Sequence, residues 1–401
     1  MRLASLRALD QAVVYKKGAR TGVLRREGQG ITFAYDSDYD GPPVASTLPR
    51  DGVVRAGPPG AVPPFFAGLL PEGRRLVALR RAIKTSADDE FSLLIAVGRD
   101  PIGDVQVLPP GESPDLPSSP EAADAPSEVR FADLFARVVG PHPADVVGLP
   151  GVQDKVSGRM IALPLTWRDT PCILKLEPPE FPGLVENEAF FYRAAAVSGL
   201  SVADVEVIRD ATGSAGLLVR RFDRTPRPGG GWGLLGQEEG CQALGRWPAD
   251  KYRVSSEAVV GALAALAGAP LVAARALLRQ LAFAYVTCNG DVHAKNLAVV
   301  EAVDGEWVAS PAYDLPSTHP YGDTTMALPI GGRDREDIGR AGFFALGEAV
   351  GLPNRAIARL LDDLLERVPA WLDDLDTLPY DSRRIHKLRR AIGYRCERLR
   401  G

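Results

Sequence analysis

Cysteine is scarce in this chain of 401 residues. The four present, Cys172, Cys241, Cys288 and Cys396, lie scattered without a CxxC pair or a metal-ligand spacing. That excludes a disulfide framework or zinc ribbon and leaves reduced structural thiols as the expectation. Long hydrophobic runs are missing too. The longest, such as residues 262–267, fall far short of the roughly 20 residues a bilayer-spanning helix needs, so no transmembrane helix and no membrane partner are expected. The opening Met1-Arg2-Leu3-Ala4-Ser5-Leu6-Arg7 has no sustained apolar segment, and a cytoplasmic location is expected. A strong positive charge is also lacking. The net charge of −4 argues against nonspecific nucleic-acid binding by the whole chain. One local basic stretch, Arg383-Arg384-Ile385-His386-Lys387-Leu388-Arg389-Arg390, has Ile385, Leu388 and Ile392 at helical spacing; it reads as a surface helix with a solvated basic face.

The chain exceeds the size at which one core usually stops growing, so two or more packed units are expected. Residues 1–108 mix strand-like runs, among them Ala12-Val13-Val14-Tyr15 closed by a Lys16-Lys17-Gly18 turn, with helical segments at 65–83, interrupted by Pro71, and 89–97. Residues 109–128 turn abruptly to Pro, Ser, Glu, Asp and Ala, which reads as a semi-extended linker. In residues 129–240, apolar runs near 160–163, 173–176, 205–208 and 216–219 surround a helix over 187–198 that ends at Gly199. That is the content of a nucleotide-binding lobe. Residues 241–401 are mostly helical, with 3.6-residue periodicity over 257–267, 272–288, 355–368 and 383–399. The fold class expected is α+β, a bilobal protein-kinase-like arrangement with an extra amino-terminal α+β subdomain.

The chemistry concentrates in Asn289-Gly290-Asp291-Val292-His293-Ala294-Lys295-Asn296, followed by Ala312-Tyr313-Asp314. An Asp, an Asn five residues on and a second Asp downstream is the pattern with which a phosphotransferase orients a hydroxyl and holds magnesium on ATP. Asp291 then orients or deprotonates the nucleophile, Asn296 offers a neutral oxygen and Asp314 a charged oxygen to the metal, and Lys295 neutralises developing charge. His293, one of four histidines, reads as a structural hydrogen-bonding residue within the site.

Lys175 stands in the apolar run Ile173-Leu174-Lys175-Leu176, ahead of Glu186-Asn187-Glu188. Two readings are open. Either Lys175 contacts phosphate and pairs with Glu188 or Glu186, because an unpaired buried ammonium is costly, or it is an edge-strand lysine facing solvent beside helix-dipole carboxylates. The stretch Gly148-Leu149-Pro150-Gly151-Val152-Gln153-Asp154-Lys155 can bring backbone amides to phosphate, but it matches neither GxGxxG nor the Walker pattern, and a hairpin explains it equally.

Taken together, these residues make the chain resemble the HipA family of bacterial serine/threonine kinases, the toxins of HipBA toxin-antitoxin pairs. The resemblance runs over nearly the whole length. It includes Phe65-Phe66-Ala67-Gly68-Leu69-Leu70-Pro71, Gly98-Arg99-Asp100-Pro101-Ile102-Gly103-Asp104-Val105, Leu184-Val185-Glu186-Asn187-Glu188, Arg221-Phe222-Asp223-Arg224 and Gln237-Glu238-Glu239-Gly240-Cys241-Gln242, and is strongest at the Asp291 motif. It implies ATP and Mg2+ as cofactors, Asp291 as the catalytic aspartate, and Asn296 and Asp314 as metal ligands. It further implies that Lys175, paired with Glu188, contacts the phosphates and that Gly151, Val152, Gln153, Asp154 and Lys155 cover them. Val219, Arg220, Arg221 and Phe222 would form the adenine hinge, with Gln237, Glu238, His293 and Lys295 flanking the nucleotide. It implies a protein substrate, for the best-known members glutamyl-tRNA synthetase, an aminoacyl-tRNA synthetase. It implies as well a HipB-like helix-turn-helix antitoxin that carries most of the contact with operator DNA.

One position departs from the family pattern. A loop serine that receives a self-inactivating phosphate in the family is matched here by Gly148, with Ser157 nearby, which puts that switch in doubt. Two other readings stand beside this one. A small-molecule phosphotransferase of the aminoglycoside or choline kinase type shares the Asp291 loop but not the amino-terminal unit. A noncatalytic antitoxin-binding corepressor has no need of both Asn296 and Asp314.

Overall fold

The computed structural model describes residues 3–28, 30–55, 57–115, 130–134 and 160–401. The proposed phosphate loop, Gly151 to Lys155, and Gly148 and Ser157 beside it, lie outside the described residues. Three bodies of structure follow one another along the chain.

The first is an antiparallel sheet of β1 (Gln11–Lys16), β2 (Ala19–Glu27), β3 (Gly30–Tyr35), β4 (Val54–Arg55) and β5 (Val105–Leu108), in the order β4-β3-β2-β1-β5. Lys17 and Gly18, at φ 51° and 81°, close the β1–β2 hairpin, as the twist of paired strands prefers at both turn positions. Helices α1 (Pro64–Gly68), α2 (Gly73–Ile83) and α3 (Glu90–Val97) accompany the sheet, and the core of the unit joins Val14, Leu24 and Phe33 to Phe66, Phe91 and Leu94. The helical segment over 65–83 is two helices, because Pro71 has no N–H to donate and restricts the residue before it. Residues 109–115 lie back on this unit. Tyr15 donates to the Glu112 carbonyl at 3.2 Å and the Gln106 amide to that of Pro114 at 2.9 Å, so the expected linker begins as packed chain.

The second body is an antiparallel sheet of β6 (Ile161–Trp167), β7 (Thr170–Leu176), β8 (Val205–Arg209) and β9 (Ala215–Arg220), ordered β6-β7-β9-β8, with α4 (Leu184–Val197) packed against β8 and β9. Helix α4 begins three residues before the sequence suggests. The Glu177 carboxylate accepts the Gly183 and Val185 N–H groups at 3.2 and 3.0 Å, capping the helix from outside it.

A hairpin of β10 (Arg224–Pro226) and β11 (Trp232–Leu234) leads to the third body. Its small sheet, β12 (Gln237–Glu239), β13 (Ala298–Glu301) and β14 (Trp307–Ala309), takes its first strand from before the boundary expected at 240. Around it pack α5 (Gly240–Ala243), α6 (Ser256–Leu266), α7 (Pro270–Val286), α8 (Arg340–Ala349), α9 (Asn354–Arg367), α10 (Pro369–Leu372) and α11 (Ser382–Arg400). The stripe Ile357, Leu360, Leu361, Leu364 and Leu365 turns one face of α9 inward, and each such side chain contributes about 2 kcal/mol on burial. In α11, Ile385, Leu388 and Ile392 are buried and Arg383, Arg384 and Lys387 are exposed. One core runs from Phe190 and Phe191 of α4 through Trp371 into α7, α9 and α11. The second and third bodies are thus fused, with a cleft between them, and the first body closes one side of that cleft.

Candidate active site

The cleft, of about 360 Å³, is lined from all three bodies. Helix α7 ends at Val286, and the chain then enters Asn289-Gly290-Asp291. Gly290 is required there by proximity. A Cβ at that position would stand 2.6 Å from the Thr325 carbonyl oxygen and 2.8 Å from Thr318 Oγ1, and the Gly290 N–H itself donates to Thr318 Oγ1 at 2.9 Å. Asn289 ties the two halves of the motif together: its Oδ1 accepts the Asp291 N–H at 3.0 Å and its Nδ2 donates to the Asp314 carbonyl at 2.9 Å. Asp314 is held at φ 54°, an unfavourable conformation for a non-glycine residue, with its N–H facing the Tyr192 hydroxyl at 3.2 Å.

These restraints bring the polar residues of both lobes together. Lys175 on β7 donates to Glu188 Oε1 of α4 at 2.6 Å and pairs with Asp314 Oδ1. Glu186, the other partner considered, faces Arg209 on the surface at 3.4 Å. Of the two readings of Lys175, the structure has the inward one. Burial alone would lower the Lys175 pKa, but Asp314 and Glu188 outweigh it and hold the ammonium well above its ordinary range. For Asp314, burial is likewise overcome, by Lys175, and the carboxyl sits below its usual range. Asn296 Nδ2 donates to Asp314 Oδ2 at 2.7 Å while its Oδ1 accepts the His293 N–H at 3.2 Å.

The donor set suits magnesium. A carboxylate and an amide side chain stand side by side at the cleft wall, a pairing of hard oxygen donors that leaves the remaining ligands to phosphate and water. Binding would require Asn296 to turn its oxygen toward Asp314, since its amide nitrogen faces that carboxylate here.

Asp291 is buried, and Tyr252 donates to its Oδ1 at 2.9 Å. Burial and then Asp291 raise the Tyr252 pKa, so the phenol stays protonated as donor. His293 is buried beside Tyr252, with ring centroids 5.1 Å apart. Burial, aided by Lys251, lowers its pKa to about 3, so the imidazole is neutral, and its Nδ1 has no hydrogen-bond partner among the described residues. Lys295 reaches into the first body. Its ammonium donates to the Gly68 carbonyl at 3.1 Å and lies 3.4 Å from Glu72 and 3.5 Å from Glu239. Lys251 holds the other Glu72 oxygen at 2.6 Å. Burial opposes the charge on Glu72, but Lys295 and Lys251 lower its pKa to about 2. Glu239 goes the other way: burial outweighs Lys295 and raises it to about 7.

Part of the cleft wall is apolar, formed by Ile102, Ala162, Ile173, Val219 and Phe222. Arg220 and Gln237 also line it. Arg221 is among the lining residues, and its buried guanidinium is held by Asp100 and Asp223, at 2.9 and 2.7 Å. Arg224 joins the same buried cluster. Glu238, expected beside the nucleotide, is turned out of the cleft and accepts the Ser46 N–H and hydroxyl at 2.8 and 2.5 Å. Its strand neighbour Glu239 faces the cleft instead, as alternation along a strand dictates.

Comparison with known proteins agrees with this architecture. Residues 12–108 match the model of the HipA N-terminal domain, and residues 147–372 that of the HipA-like C-terminal domain. The chain belongs to the HipA family. The Sinorhizobium fredii protein named "Putative kinase Y4mE" is 33% identical to this HipA-family chain over 96% of its length and 98% of the relative's. A second protein of that organism, named "Putative kinase Y4dM", is 32% identical over 67% of this chain and 65% of its own. Among solved structures, the Shewanella oneidensis MR-1 complex of HipA, HipB and operator DNA contains a chain that superposes with a TM-score of 0.79 at 24% identity, covering 97% of each chain. The fold is therefore the bilobal kinase-like fold with the HipA amino-terminal unit. Among the described residues no helix is long and apolar enough to cross a membrane.

Tyr252, Lys251, Glu72 and Glu239 were not singled out from the sequence. Three of them carry no local signal, since their partners are remote. Glu239 lies in the stretch from Gln237 to Gln242, where the two-residue period of its strand marks it as facing opposite to Glu238.

Proposed function

We propose that this HipA-family chain is an ATP- and magnesium-dependent kinase that phosphorylates serine or threonine on a cytoplasmic protein. The observation that carries the reading is the convergence of Lys175, Asn296 and Asp314 on one cleft, with Glu188 of α4 buried behind Lys175 and Asp291 buried in the loop that leads to Asn296. In phosphoryl transfer the protein chiefly aligns and neutralises. The apolar wall, from Ile173 to Phe222, suits a purine base, and Lys175, fixed by Glu188, meets the phosphates. Magnesium, held by Asp314 and Asn296, would neutralise phosphate charge. Asp291 accepts the hydroxyl proton, with Tyr252 fixing one of its oxygens, and the neutral His293 adds no charge beside it.

We further propose that the chain is the toxin of a toxin-antitoxin pair, with a HipB-like antitoxin as partner and operator DNA contacted mainly through it. The Shewanella complex, whose assembly has that composition, supports this reading. A translation protein such as an aminoacyl-tRNA synthetase is the first substrate to examine. The test is phosphoproteomics after induction of wild type and Asp291→Asn. Serine or threonine sites gained only with the wild type support the reading; identical phosphoproteomes contradict it.

A further inference from the structure

Among the apolar side chains on the cleft wall, Ala162, Ile173 and Val219 stand on strands of the second body and Phe222 follows them, whereas Ile102 comes from the first body, in the segment that leads into β5.

The place of Ile102 is fixed from both sides. Before it, the Pro101 carbonyl accepts from the guanidinium of Arg221 at 2.6 Å and from that of Arg224 at 2.8 Å. After it, the Gly103 N–H donates to Asp223 Oδ2 at 2.8 Å, and the Gly103 carbonyl accepts from Arg224 at 2.9 Å. Arg221 and Asp223 are the chain neighbours of Phe222. The two neighbours of Ile102 are therefore bonded to the two neighbours of Phe222. Gly103, at φ 88°, also runs so near β12 that a Cβ on it would stand 3.5 Å from the backbone of Gln237. Ile102 is thereby set beside Phe222 and Gln237, which line the same cleft.

The bonds that fix this segment are made by the neighbours of Ile102. Its own side chain takes no part in them and stays 40% exposed. A single exposed apolar residue is ordinary on an outer surface. On a rigid segment in the wall of a cleft, next to other apolar groups, it is a preformed contact surface of the kind that lines small-molecule sites.

We propose that Ile102 packs against the base of the bound nucleotide, so that the amino-terminal unit supplies part of the wall of the base site; this rests on the kinase reading above. The contact has no donor or acceptor. It stabilises a purine by removing apolar surface from water and contributes nothing to the phosphates.

The test is calorimetry of the full chain with adenosine, with a nonhydrolysable ATP analogue plus magnesium, and with inorganic tripolyphosphate plus magnesium. Ile102→Ala should weaken adenosine and the analogue by the same factor, about fivefold, and leave tripolyphosphate unchanged. Ile102→Val, which keeps most of the branched surface, should stay within about twofold of wild type for all three. Unchanged adenosine affinity in Ile102→Ala overturns the proposal. So does a loss shared equally by tripolyphosphate, which would report a disturbed cleft and not a lost base contact. Failure of the kinase reading looks different: wild type would then bind neither adenosine nor the analogue, which overturns both.

Discussion

The ammonium of Lys295, one residue before Asn296, lies 3.4 Å from the carboxylate of Glu72 in the amino-terminal unit. With the Gly68 carbonyl at 3.1 Å from the same ammonium, this fastens the Asp291 loop to a separate body of structure. Glu72→Gln removes the charge that holds both Lys295 and Lys251. Phosphoryl transfer should fall about tenfold, because small displacements of aligned groups are expensive, with the KM for ATP nearly unchanged. Steady-state kinetics check it, and an effect on KM alone would assign Glu72 to nucleotide binding.

The metal assignment separates Asp314 from Asn296. Asp314 brings a formal charge and Asn296 does not, so Asp314→Ala should weaken Mg-ATP affinity more than Asn296→Ala. Because Lys175 and Asn296 both hold the Asp314 carboxylate, calorimetry should be run with and without magnesium. The loss belongs to the magnesium arm.

Glu239 makes stability depend on pH. Its carboxyl is raised from 4.5 to about 7 in the folded protein, so between those values the folded chain keeps a proton that the unfolded chain has released. Its contribution to stability therefore falls as pH rises through that window. Glu239→Gln removes the dependence, and its melting temperature relative to wild type should climb from about pH 5 to about pH 7. A constant difference across the range would contradict the shift.

Asp223 is buried between Arg221 and Arg224, at 2.7 and 2.8 Å, and accepts the Gly103 N–H at 2.8 Å. Asp223→Ala leaves two buried guanidinium groups short of a counter-charge, which costs about 3–5 kcal/mol. Denaturant unfolding measures it. A loss near zero would mean that Asp100 alone compensates both arginines.

Much of this was legible in the sequence because the informative signals are local. Asp291, Asn296 and Asp314 sit in two short segments, and the stripes of α9 and α11 repeat at 3.6 residues. Lys175 was legible only as an open choice, since whether a strand lysine faces in or out depends on which helix packs over it. Tyr252, whose partner Asp291 is 39 residues away, and Glu72, whose partners lie in another body, were not legible, because no spacing encodes a contact made by tertiary packing. Arg221 directly follows β9, and its side chain does not share the strand's direction. Its rotamer is decided by Asp100, which the sequence leaves 121 residues distant.

If Asp291 accepts the proton of the attacking hydroxyl, transfer of labelled γ-phosphate by Asp291→Asn is the decisive measurement. With calorimetry establishing that the variant still binds Mg-ATP, transfer should fall about a thousandfold or more. Wild-type rates of transfer in that variant would contradict it.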